Sequence, residues 1–218
     1  MHNLLSLALS LIAFCAFGQK ETNQFNVDGQ KEGFWIESLE DKISQGNYSF
    51  GRQEGLWKTY YNIKNINHLA QLAEYSKGVY HGSVYSIDYG GHLASEENYV
   101  HGKLHGKRIY YRKHGGIKSE ENYVGGQLEG PFSIYYETGA IQEKGNYSLG
   151  KRDGLTQWFN EQAELIMSST YKKGVLNGPQ RLLNKSKLIS EGNYRNNQKV
   201  GIWKHYDANG KLIREEKF

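Results

Sequence analysis

Apolar and aromatic positions recur along this chain with a period of two inside short segments, and the segments themselves recur. Six residues before a recurrent Tyr stands an aliphatic residue: Leu69, Leu93, Ile117, Ile141, Leu165 or Leu188, with Lys42 the exception. Positions an even number apart share one face of a strand, so the Tyr and the aliphatic residue point the same way. The positions between are Glu, Ser, Asn and Lys, as in Ser119-Glu120-Glu121-Asn122. Such alternation predicts sheet with one drier and one wetter face. After the leader no helical period is visible. The clearest unit runs from Tyr123 to Asn146. Gly125 to Gly130 reads as a Gly-rich turn, Pro131 to Tyr136 as a strand of β-formers, Glu137-Thr138-Gly139 as a hairpin turn, and Ala140 to Asn146 as a second strand.

The unit is one of a series. An aromatic residue with Gly at +3 and +7 begins at Tyr48, Tyr75, Tyr99, Tyr123, Tyr147 and Tyr171. Phe25 opens a version one residue longer, and at Tyr194 Asn197 replaces the first Gly. The steps are 23, 27, 24, 24, 24, 24 and 23 residues, and Phe218, 24 after Tyr194, would open a ninth unit. A fixed period of this size means a repeat architecture. The 27-residue step places an insertion at Asn62 to His68, read as a lengthened hairpin loop. The short last strand, ending at Phe218, is expected to leave an edge open to pairing.

Length and composition agree with many short strands joined by tight turns. The 218 residues include 17 Tyr and 26 Gly but only 2 Pro. A formal charge of +4, from 27 basic and 23 acidic residues, gives no reason to expect nucleic acid as partner. The N-terminus differs. Leu4 to Phe17 is apolar and the first charge is Lys20, which suits a signal peptide over residues 1–18, cut before Gln19. The repeat domain would then be 19–218. Cys15 is the only cysteine. A lipid anchor there would need a small residue just before it, and Phe14 argues against one. The mature chain would therefore be exported, to the periplasm, cell surface or medium, and lack cysteine.

These residues carry a resemblance. Tyr48 to Tyr61 (YSFGRQEGLWKTYY) and Tyr194 to Gly210 (YRNNQKVGIWKHYDANG) resemble the MORN repeat, and more closely the bacterial MORN-variant repeats labelled YwqK-like antitoxin components. The resemblance covers about residues 25 to 218. It implies an all-β fold: an elongated single-layer antiparallel sheet of about eight MORN-type β-hairpins. An antitoxin-like role is the least developed of its functional implications, and export argues against a cytoplasmic toxin partner.

Candidate chemistry dissolves into repeat columns. His81 and His105 occupy the column continued by Glu129, Asp153 and Asn177, which asks only for a polar turn residue. Equivalent positions in successive units lie roughly 9–10 Å apart, too far to share one ion. The pairs Glu96-Glu97, Glu120-Glu121 and Glu215-Glu216 are adjacent in strands, so the sheet splits each one. The Gly-rich turns match no phosphate-binding loop. No catalytic, cofactor-binding or metal-binding residue is assigned, no cofactor is expected, and the chain is not expected to be an enzyme. What remains is aromatic surface: Trp35, Trp57, Phe132 and Trp203 two residues after the second Gly, and Tyr110 and Trp158 four after it. In a single layer some of it is expected to meet a partner. The expectation is a protein-interaction scaffold. The alternative is a module for lipid headgroups or envelope polysaccharide, resting on the basic turns Lys151-Arg152 and Lys172-Lys173.

Overall fold

The structure, a computed structural model, describes residues 21–64 and 66–218; the leader at 1–18 lies outside them. The described residues contain no helix and form one antiparallel sheet of 20 strand segments. Successive strands pair in chain order, from Gln24–Phe25 against Lys31–Leu39 to Gln198–Tyr206 against Leu212–Lys217, and the two segments of an interrupted strand, such as Lys103–Leu104 and Gly106–Tyr111, share one partner. Eight hairpin units make up this meander. Three of their first strands are split by a single residue, at His105, Glu129 and Asp153, and Gln24–Phe25 adds a short segment at the start.

The turns lie elsewhere than the composition of the Gly-rich phrase indicates. The strand Ile117–Val124 runs through Tyr123, and only Gly125-Gly126 turn before Gln127 re-enters the sheet opposite Val124. Gly125 has φ 59° and Gly126 φ 89°, a two-residue turn with both residues left-handed, which matches the twist of the flanking strands. The second Gly, Gly130 with φ 90°, lies within the sheet, opposite Tyr147. So the two glycines of the phrase do different things. One completes a turn and the other re-aims a strand beside an interrupted ladder. Asn196 and Asn197, at φ 50° and 67°, make the same turn without Gly, since Asn tolerates the left-handed region. The opposite hairpin ends use a second device. Asp207 Oδ1 accepts from the amides of Asn209 (2.8 Å) and Lys211 (2.9 Å), and Gly210 closes back on the Asp207 carbonyl.

The core is one face of the sheet. Rings follow one another across the strands: Phe25–Trp35 at 5.0 Å, Trp35–Tyr48 at 5.8 Å, Tyr48–Trp57 at 5.1 Å and Trp57–Tyr75 at 6.1 Å between centroids. All four are edge-to-face, the arrangement that the ring quadrupole favours. Phe218 repeats the pattern against Trp203 at 6.3 Å and exchanges backbone hydrogen bonds with Gly201, so it occupies the Tyr column of a ninth unit. Cations cover several rings: Lys31 Nζ lies 4.6 Å from the Trp35 centroid and Lys199 Nζ 4.2 Å from that of Trp203.

Room for the rings comes from small residues two before most of the repeat Tyr, Gly46, Ala73, Gly145, Ser169 and Gly192. Gly46 lies beneath Trp57 and Gly192 beneath Trp203. Both Trp side chains are 2 % exposed. The column asked to meet a partner is therefore buried: Trp35, Trp57, Phe132 and Trp203 belong to the core. A single layer hides them because Trp57, Phe132 and Trp203 lie against Gly46, Gly145 and Gly192, and all four rings pack on a Tyr of the repeat. Where Gly is replaced by Glu97, the facing residue is Arg108, whose Nε donates to Glu97 at 3.0 Å, and an ion pair fills the same space.

Candidate functional site

The charged and polar columns have exact tasks in holding neighbouring units together. Tyr111 donates to Glu96 (2.8 Å) and Tyr135 to Glu120 (3.1 Å) across unit boundaries, while Tyr99 donates to Glu97 (2.6 Å) and Tyr123 to Glu121 (2.8 Å) along one strand. Each acidic pair is thus divided between two Tyr columns, as alternation requires. Glu216 instead meets Arg214 at 2.7 Å. Burial first, then the Glu96 hydrogen bond and charge, push the Tyr111 phenol up to about 12.

The column before the second Gly does more than tolerate polarity, which corrects the expectation for His81. Its carboxylates accept the backbone amide of the next unit's first turn residue: Glu32 from Phe50 (2.9 Å), Glu54 from Lys77 (2.8 Å), Glu129 from Leu149 (2.7 Å) and Asp153 from Lys173 (2.9 Å). His81 fills this place through Nδ1, 3.4 Å from the amide of His101, and the two imidazole rings are 5.0 Å apart. His105, a full repeat on, is not part of that contact. Among the described residues no three His, Cys, Asp or Glu side chains come together as a metal site would require.

The next turn residue, at the position of the first Gly, donates to the previous unit's carbonyl. Gly78 reaches Gln53 at 2.9 Å, Gly150 reaches Leu128 at 2.9 Å, and Asn197 reaches Leu176 at 3.0 Å. The two-residue turns therefore stand side by side as one continuous edge. That edge is uneven. At the first turn position stand Lys77, His101 and Lys173, but also Phe50 (φ 48°, 71 % exposed) and Leu149 (φ 50°, 75 % exposed). A bulky side chain in left-handed backbone is strained, and Asn or Gly is the usual occupant. Val79, Val100 and Val124 add exposed apolar surface beside these tips, and Arg52, Lys103 and Lys151 add charge.

The insertion is a lengthened hairpin loop, as its spacing predicts. Ile63 and Ile66 bridge across it, and His68 packs on Tyr61 at 5.3 Å. The His68 ring nitrogens lie 3.0 Å from the Leu69 carbonyl and 3.1 Å from that of Tyr89, which holds the imidazole above its usual pKa. Tyr61 donates to the Ile87 carbonyl at 2.8 Å, and Tyr136 makes the equivalent bond to Phe159 at 2.8 Å.

A family model for the MORN repeat variant matches residues 128–148 and 199–218. Two of the hairpins are thus similar to the MORN repeat variant. No curated protein matches the chain. The two matched segments fall on the hairpins containing Gly130–Tyr135 with Ile141–Ser148, and Gln198–Tyr206 with Leu212–Lys217. The other hairpin units repeat their pairing and turn geometry with different side chains.

Proposed function

We propose that the protein is a non-enzymatic interaction scaffold, exported from the cytoplasm, whose edge of two-residue turns docks a protein partner. The observation that carries this is the pair Phe50 and Leu149. Each is a large apolar side chain held outward in strained backbone, where the repeat elsewhere uses Lys, His, Gly or Asn. Strain retained at an exposed position supports a use for that side chain. Basic residues around the tips favour an acidic rim on the partner.

The test replaces both tips by the residues that the turn prefers, Phe50→Asn and Leu149→Asn. Affinity capture with the wild-type chain from an envelope fraction should retain a partner through high salt, and the double variant should lose it. Equal capture by both proteins would remove this edge from consideration. A second possibility, contact with anionic lipid headgroups, is favoured by Arg52, Lys103 and Lys151 beside the same tips. It requires vesicle binding at low salt that disappears at high salt. An antitoxin-like role needs a toxin among the captured proteins. Export requires a mature N-terminus at Gln19, which intact-mass measurement of the exported protein reads directly.

A further inference from the structure

A groove of ≈ 380 Å³ opens on the aromatic face across the first three units. Its floor is a single row of residues facing one another from strand to strand. Glu37 stands opposite Ser44, Ser44 opposite Thr59, Thr59 opposite Gln71, and Gln71 opposite Ser86; past the groove the row runs on to the buried Ser95, opposite Ser86. All six are polar. The row continues through the remaining units but changes character. Its positions four after the second Gly, which are Glu37, Thr59 and Ser86 in the first three units, become Tyr110, Ile134, Trp158 and Leu182 in the next four. Large side chains fill the face there. Smaller polar ones leave it open in the first three units, the second of which carries the insertion.

We propose that this track binds a short neutral oligosaccharide. The five positions that line the groove, Glu37 to Ser86, at the spacing of neighbouring strands, ~4.8 Å, make a line of ~19 Å. That step is comparable with the length of one pyranose ring, so hydroxyls along an extended sugar chain meet hydroxyls and carboxamides in register. The Gln71 side-chain oxygen accepts from Tyr80 at 3.3 Å, which leaves its amide nitrogen to donate. Tyr61 and Tyr75 border the groove, and ring edges and faces suit the C–H surfaces of a sugar. Charge is balanced. Glu37 is paired with Lys31 and accepts from Tyr48, and the Lys42 ammonium on the rim lies 5.8 Å from the Tyr61 ring centroid. An extended peptide fits less well, because the strands lining the floor already pair on both sides and offer it no open edge.

The track lies on the aromatic face and is independent of the turn edge, so the two proposals fail separately. The test titrates the full-length protein with cellohexaose, maltohexaose and chitohexaose, and with a neutral hexapeptide. The variants are Thr59→Leu with Ser86→Leu, which places at this row the residue type already present at Leu182, and Gln71→Ala, which removes one carboxamide. One hexasaccharide should bind at a single site. The filled track should weaken it about tenfold or more, Gln71→Ala, which leaves the Ser44–Thr59 hydroxyl bond (2.9 Å) intact, should weaken it by a smaller factor, and Phe50→Asn should leave it unaltered. The proposal is overturned if none of the three sugars binds, if binding survives both groove variants, or if the hexapeptide displaces the sugar.

Discussion

Gly46 and Gly192 allow a sharp prediction, because each lies under a tryptophan that cannot move away. A Cβ built on Gly46 would sit 2.4 Å from Trp57 Cδ2 and 2.5 Å from its Cε2 and Cγ. On Gly192 the distances to the same atoms of Trp203 are 2.2, 2.3 and 2.5 Å. Neither ring can slide, since Trp57 Nε1 donates to the Asn47 carbonyl at 3.1 Å and Trp203 Nε1 to that of Asn193 at 3.2 Å. Overpacking of this kind costs about 1–3 kcal/mol. Relief of glycine's chain entropy within a strand returns about 0.5–1 kcal/mol. The net expectation is a loss of about 1–2 kcal/mol for Gly46→Ala and somewhat more for Gly192→Ala. Urea titration followed by tryptophan fluorescence reads the shift. Fluorescence and circular dichroism should be compared, because repeat arrays can lose all-or-none behaviour. Combining Gly46→Ala with Trp57→Leu should cost less than the sum of the single changes. If Gly46→Ala proves neutral or stabilising, the ring-on-glycine account of the core is wrong.

Three further outcomes are expected. The double variant Phe50→Asn with Leu149→Asn should melt higher than wild type, by about 1 kcal/mol per site, since it removes side chains that disfavour left-handed backbone; equal or lower stability would mean that these tips carry no strain. Asn197→Gly should destabilise by about 1 kcal/mol although Gly is the residue of the other units, because Asn197 Oδ1 accepts from the Leu176 amide at 2.7 Å; chemical denaturation would show it. In alkali the unfolded chain gives up its Tyr111 proton near the ordinary value of about 10, and the folded chain holds it to about 12. Stability is therefore full below about pH 10 and falls as pH rises toward 12. Tyr111→Phe should flatten that fall in denaturant midpoints measured across the range, and an unchanged slope would assign it to other groups.

The fold was legible because period and alternation are direct consequences of strand geometry, repeated often enough to average out single departures. Tyr123, Gly130 and Ile141 take the columns that their spacing assigns. The turn boundaries were not legible from composition. Two glycines four residues apart look like one flexible loop, and only backbone pairing shows that Gly126 turns and Gly130 stays in the sheet. Burial of Trp57 was hidden for a related reason. It depends on Gly46, eleven residues earlier and on the neighbouring strand, which strand alternation alone does not bring under the ring. The polar track was present in the sequence throughout. Glu37, Thr59 and Ser86 stand in the column of Tyr110, Ile134, Trp158 and Leu182, and the signal is a change of size along one column rather than a motif.

The bonds between successive turns make the sheet a measure of distance. Phe50 and Leu149 are the first residues of turns four units apart, and every unit between adds two strands at ~4.8 Å each. The two apolar tips are thereby held on the order of 40 Å apart by hairpins whose own tips are Lys77, His101 and Gly125. Deleting one intervening unit would bring them about 10 Å closer without altering either tip. A partner that grips both would register unit number itself, so the count of repeats becomes a property on which selection can act.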